Sequence, residues 1–138
     1  MGRVAWNQDY SMDSKVIDSH HQLLIDYINQ LDEAIEKKVC GKKFLSEIAD
    51  KLLDYTDYHF TSEELYMKQY KYPELPAHCE EHKAFIDEIK KIKRMIDEDA
   101  SGLDVKIIDY LRTWLLHHIL IIDKEYAIFF KNQGVHLP

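Results

Sequence analysis

The sequence predicts an all-α fold: an up-down-up-down antiparallel four-helix bundle entered by an N-terminal arm. Three observations predict it. Apolar residues recur at steps of three and four along four separate stretches, the spacing that lines one face of an α-helix. The breaks between those stretches carry turn formers such as Gly41, Pro73, Pro76 and Gly102. No run shows the period of two that a half-buried strand needs. Four long amphipathic helices joined by short connections can share one core when neighbours run antiparallel. The 138 residues fit one domain, in which folding hides roughly two-thirds of the chain's surface.

The arm spans residues 1–13 and carries Trp6 and Tyr10. The first helix, about 14–38, has the seam Ile17, His21, Leu24, Ile28, Leu31 and Ile35, and ends at the break from Val39 to Lys42. The second, about 42–70, follows Ile48, Leu52, Tyr55, His59, Glu63, Tyr66 and Tyr70 until it meets Pro73 and Pro76. The third, about 75–99, follows His78, His82, Phe85, Ile89, Ile92 and Ile96, and closes in the turn from Asp99 to Gly102. The fourth, about 103–131, follows Ile108, Leu111, Leu115, His118 and Ile122.

Composition removes several function classes. With 46% hydrophobic and 31% charged residues, four Gly and three Pro, the chain is neither disordered nor fibrous. Eighteen basic against 25 acidic residues leave a formal charge of -7, which repels nucleic acid and anionic membrane surfaces. The short basic run Lys90, Lys91, Lys93 and Arg94 reads as a solvated face. The longest apolar stretch, Trp114 to Ile122, is interrupted by His117 and His118 and is too short to span a bilayer, so no membrane insertion is expected. The N-terminus lacks the apolar run of a secretory signal, which fits a cytoplasmic protein or a processed mature chain, and the cytoplasm is expected. Two cysteines, Cys40 and Cys79, suggest neither a disulfide framework nor a thiolate metal site.

Eight histidines are the anomaly. Every seam carries one at a position that faces the core, where each imidazole needs partners for both ring nitrogens. One such residue alone reads as a satisfied core histidine. Four seams together read differently, because His59 with Glu63 and His78 with His82 are spaced i, i+4 and so project from one helix face. His21, His59 with Glu63, His78 with His82, and His118 with Asp123 draw imidazoles and carboxylates into one interior. Five imidazoles and two carboxylates are too many for one tetrahedral zinc, and the lack of sulfur disfavours soft metals, whereas imidazole with bridging carboxylate suits a pair of irons. A ferritin-type centre would use Glu-x-x-His pairs, and no histidine here has a Glu three residues before it.

The fourth helix poses a geometric problem. In a regular helix His118 and Asp123 lie about 140 degrees apart, too far to serve one metal pair. Either Asp123 reaches around from the flank of the seam, or the helix carries a local i to i+5 turn, a distortion frequent at functional sites. The distortion is the preferred reading.

These residues resemble the hemerythrin family, most closely its single-domain bacterial members, the bacteriohemerythrins. The resemblance rests on Trp6, Ile17-Asp18-x-x-His21 with Leu24, His59-Phe60-x-x-Glu63-Glu64-x-x-Met67, Tyr72-Pro73, His78-x-x-x-His82, and Trp114-Leu115-x-x-His118 followed by Asp123 and Tyr126. It implies that His78, His82 and His118 hold one iron, that His21 and His59 hold the other, and that Glu63 and Asp123 bridge both beside an oxo or hydroxo group. It also implies that one iron keeps an open position where O2 binds reversibly as a hydroperoxide. Leu24, Phe60, Met67, Trp114 and Leu115 lie within a turn or two of the ligands, and are expected to wall a dry O2 pocket that slows oxidation of the irons.

Other histidines invite over-reading. His20 and His117 adjoin proposed ligands, but a shift of one residue turns a helix by about 100 degrees and takes both off the seam. A polar residue other than histidine is commoner at both positions in the family. Exposure to solvent or packing directly behind the ligands is expected for them, with proton transfer as the alternative. His136 sits in the tail, and Cys79 points off the face of the third-helix histidines as a packing residue.

The function expected is therefore O2 binding for storage, delivery to an oxygen-consuming enzyme, or scavenging, without catalysis. A di-iron enzyme acting on peroxide, nitric oxide or O2 would need a substrate channel and acid or base groups at the open iron. A sensor module would need an output domain, for which the tail after the fourth helix leaves little chain.

Overall fold

A computed structural model describes residues 3–138, and the first two residues of the expected arm lie outside it. Four helical rods carry the chain, and no strand occurs among the described residues. They are α1 (Lys15–Glu36), α2 (Lys42–Gln69), α3 (Leu75–Asp97), and a fourth rod in three consecutive parts: α4 (Leu103–Trp114), a π-helix π1 (Leu115–Asp123) and α5 (Lys124–Asn132).

Local chemistry fixes the ends. Ser14 stands in extended conformation before α1, and its Oγ accepts the Ile17 N–H at 3.2 Å. Pro76 lies in the first turn of α3, where a missing N–H is harmless. At the far ends, Lys38, Lys71, Asp99 and Gly134 adopt the left-handed conformation, and each following N–H reaches back five residues to a helix carbonyl. The first three rods therefore end sharply, and only a few residues separate each from the next.

The rods form a ring of neighbours, with α1 against α2 and α4, α2 against α3, and α3 against α4. Their shared core includes Leu24, Ile28 and Leu31 of α1, Leu52 and Tyr55 of α2, Phe85 and Ile89 of α3, and Ile108 and Leu111 of α4, all at most 1% exposed. Each such side chain stabilises the fold by roughly 1.5–3 kcal/mol relative to exposure. Asp32 and Arg112 form a side-chain pair at 3.2 Å that ties α1 to α4 inside this layer.

Two seams depart from expectation. On α2 the buried face runs from Glu63 to Met67 rather than through Tyr66 and Tyr70, because a straight helix repeats every 3.6 residues and drifts off a strict heptad. On the fourth rod Ile122 is only half-buried, whereas Ile119, Asp123 and Tyr126 are buried. The π-helix is the cause, since its wider turn brings residues five apart onto one face. Of the two sequence alternatives for Asp123, the structure has the i to i+5 distortion.

The segment before α1 is anchored rather than loose. Asp18 accepts Ser11 Oγ–H at 2.6 Å and the Met12 N–H at 2.7 Å, and Lys124 Nζ donates to the Ser11 carbonyl at 2.7 Å. Asn29 pairs with both the N–H and the carbonyl of Val4 at 2.8 Å. These contacts lay Tyr10, in the short 3-10 turn Gln8–Tyr10, over one end of the rods.

Candidate metal centre

At that end, His21 lies early in α1, His59 and Glu63 late in α2, His78 and His82 early in α3, and His118 and Asp123 in π1. All seven residues singled out from the sequence are brought together, and none is more than 2% exposed. Two overlapping groups result, in each of which one donor atom per residue lies within 4.8 Å of all the others. One comprises Glu63, His78, His82, His118 and Asp123; the other comprises His21, His59, Glu63 and Asp123. The carboxylates belong to both groups, and neither group contains a cysteine.

Every imidazole turns Nε2 inward. His59 Nε2 lies 2.9 Å from Glu63 Oε1, His78 Nε2 2.9 Å and His118 Nε2 3.0 Å from Asp123 Oδ1, His21 Nε2 3.3 Å from Asp123 Oδ2, and His82 Nε2 3.5 Å from Glu63 Oε1. Yet Nε2 of His21, His78, His82 and His118 and all four carboxylate oxygens are buried without a well-formed hydrogen bond. Burying that many polar atoms unsatisfied is prohibitive unless something else binds them, and a cation accepts lone pairs from all of them at once.

The outward nitrogens fix the ring orientations. His21 Nδ1–H donates to the Tyr10 carbonyl at 3.2 Å, His82 Nδ1–H to Glu64 at 2.7 Å, and His118 Nδ1–H to Glu81 at 3.0 Å. His59 Nδ1 meets Nδ1 of His20 at 2.9 Å, with His59 as donor once its Nε2 serves the interior. His78 instead borders a small surface cavity lined by Tyr72, Glu74, Glu81 and Glu125.

Charge follows the same logic. For Glu63 and Asp123 burial favours the neutral acid, but the surrounding imidazoles outweigh it and hold both well below the usual carboxylate range. Burial opposes protonation of His82, yet Glu63 and Glu64 push its pKa up to about 9. At His59 burial wins and the pKa is lowered. Without a cation, protonated imidazole balances the two carboxylates; a dication would displace those protons.

Aromatic rings lie flat on the cage. Phe60 stacks on His82 with centroids 3.8 Å apart, Trp114 on His118 at 3.9 Å, and Tyr55 on His59 at 4.8 Å. Leu24 follows His21 by three residues, Leu115 precedes His118 by three, and both are buried. Met67 is fully buried one turn beyond Glu63, toward the end of α2.

The family to which the chain compares is decided by its match to the Hemerythrin HHE cation binding domain over residues 12–127. The chain belongs to the hemerythrin family. This hemerythrin is 31% identical over 131 residues to a bacteriohemerythrin of Stenotrophomonas maltophilia, covering 92% of the chain and 81% of the relative. It is 28% identical to a bacteriohemerythrin of Clostridium acetobutylicum, covering 88% and 96%. A myohemerythrin of Sipunculus nudus is 27% identical, covering 88% of each. A solved wild-type hemerythrin superposes with a TM-score of 0.80 at 24% identity, covering 91% and 96%, which shows the shared fold.

Sequence reading missed the groups that orient this hemerythrin's imidazoles. Glu64 and Glu81 sit beside expected ligands in the chain, about 100 degrees off their face, and meet their partners only across a helix interface. His20 takes one of its two expected placements, packing behind a candidate ligand with its Nδ1 2.9 Å from that of His59; burial, then His59 and His21, lower its pKa to about 4. His117 and His136 are exposed. Cys79 is half-buried, and its sulfur joins neither donor group.

Proposed function

We propose that this hemerythrin holds two iron ions and binds O2 reversibly between them and the apolar core, as a carrier, store or scavenger and not as an enzyme. The observation that carries the reading is the inequality of the two donor groups: they share Glu63 and Asp123, but one has three imidazoles and the other two. His78, His82 and His118 would complete one metal, while His21 and His59 would leave the second a donor short and open to a small ligand. When bound, the irons supply two electrons to O2 and recover them on release.

The residues do the rest. Glu63 and Asp123 are held ionised by the imidazoles and would bridge both metals, with an oxo or hydroxo group as third bridge. Leu24, Phe60, Met67, Trp114 and Leu115 would exclude water from the ligand. The ligand positions, early in α1 and α3 but late in α2 and the fourth rod, converge if the bundle runs up-down-up-down as one domain over 1–138, with residues 1–13 as its arm. No described helix is long and apolar enough to cross a membrane. A cytoplasmic site of action, with O2 as ligand and an oxygen-consuming enzyme as partner, belongs to the same proposal.

The test is elemental analysis with visible spectroscopy. Reconstituted protein should hold two irons per chain and show a charge-transfer band that appears in air and vanishes under nitrogen through several cycles. One iron or none, or steady O2 consumption driven by added reductant, would reject the reading.

A further inference from the structure

The ligand set does not account for Tyr55. This residue lies one turn before His59 on the same face of α2, with its ring 19° from parallel to that imidazole, and it is 0% exposed. Its hydroxyl has no hydrogen-bond partner. Phenylalanine would fill nearly the same volume without burying an unsatisfied O–H, so the hydroxyl destabilises the protein unless something outside the chain accepts it. Its ring neighbours, Tyr58 at 6.0 Å and Phe60 at 6.2 Å, present ring edges and faces rather than an acceptor.

Its place in the bundle says what the acceptor is. In the proposed up-down-up-down arrangement, residues that follow a ligand on α1 and α3 share a layer with those that precede one on α2 and π1. Leu24, Tyr55, Phe85 and Leu115 therefore floor the metal cage on its interior side. Tyr55 also covers His59, a member of the group with one imidazole fewer. A phenol keeps its proton at neutral pH, so the O–H is a donor there. Tyr126, the other fully buried phenol of the site, has its hydroxyl turned toward Glu63 and follows Asp123 by three residues.

We propose that Tyr55 donates a hydrogen bond to a small ligand bearing negative charge at the open position of the His21/His59 metal. The inference rests on the proposed di-iron reading and adds one polar contact to a pocket otherwise walled by apolar side chains. That contact retains a bound anion and slows its departure without changing how it enters.

Azide binding to the oxidised, iron-loaded protein tests this. Tyr55→Phe should keep two irons per chain and weaken azide by about tenfold, mostly through faster release, as expected for loss of a hydrogen bond to a charged acceptor. Tyr58→Phe, which removes an exposed hydroxyl from the same helix, should leave azide affinity within about twofold. The azide stretch should shift on transfer to D2O in the wild type and not in Tyr55→Phe. Without metal, Tyr55→Phe should melt at or above the wild-type temperature, because it removes an unsatisfied hydroxyl. Equal azide affinity in iron-loaded wild type and Tyr55→Phe would overturn the role of Tyr55 while leaving the metal centre standing. A marked loss of stability in metal-free Tyr55→Phe would overturn it too, by showing that the hydroxyl has a partner in the chain. A wild type that binds neither iron nor azide would overturn the di-iron reading and this inference together.

Discussion

His82 donates its Nδ1–H to Glu64 Oε2 at 2.7 Å across the α2–α3 interface, while Phe60 lies flat against the same imidazole. The ring is therefore held at its edge and its face before any metal arrives. A carboxylate partner also makes the opposite nitrogen more basic. Glu64→Ala should weaken metal retention by about 10–100-fold in competition with a chelator, the range typical for loss of such an orienting group. Glu64→Gln, which keeps an acceptor but not the charge, should lie between the variant and the wild type.

Removing the metals should unmask the stored cost of the cage. The unsatisfied Nε2 atoms and carboxylate oxygens would then depend on protonated imidazoles alone for compensation. The melting temperature of metal-free protein should fall well below that of the loaded form. Equal melting of the two forms in a calorimeter would contradict this.

The π-helix makes its own prediction. Deleting Ile121, which is half-exposed in π1, leaves His118 and the aspartate four residues apart, so a regular helix still places them within about 40 degrees of each other. That variant should fold and retain metal. Inserting one alanine after Ile121 puts them six apart, turns the carboxylate off the face, and should reduce iron to one per chain or fewer. Elemental analysis of the two variants separates the outcomes.

Helix-period information accounts for what was legible. Candidate ligands such as His59 with Glu63 and His78 with His82 stand one turn apart on a single helix, so spacing alone places them on one face. Even the π distortion was visible, as a conflict between the His118 to Asp123 spacing and the need for both on that face. Glu64 and Glu81 were not legible, because each acts on a histidine of a different helix and lies about 100 degrees off its own seam. Tyr55 stood on the seam, but an aromatic residue there reads as core. Only the absence of a partner for its hydroxyl distinguishes it.

Cys79 gives a pH dependence away from the ligands' own nitrogens. Burial first, then the Glu64 carboxylate, push its thiol up to about 11. A raised pKa leaves less thiolate at a given pH, and the thiolate is the reactive form. Alkylation by iodoacetamide at pH 8 should be far slower than that of a free thiol and should climb steeply only toward pH 11. Rapid labelling of Cys79 at pH 8, located by peptide mapping, would count against that environment.

Leu115 separates a carrier from an oxidase. It is 2% exposed and precedes His118 by three residues on the same face. Truncation to alanine opens a cavity beside the ligand position and should lower stability by about 2–5 kcal/mol, depending on how far its surroundings collapse. It should also admit water next to the oxygenated site. Water stabilises the separation of charge that leaves the irons oxidised, so Leu115→Ala should speed the loss of the oxygenated form more than it alters the first capture of O2. Stopped-flow measurement of capture and spectral decay in air give the two rates separately. If decay is the same in Leu115→Ala and wild type, and the wild type consumes O2 steadily with reductant, the apolar wall does not protect a carrier and the site turns over as an enzyme.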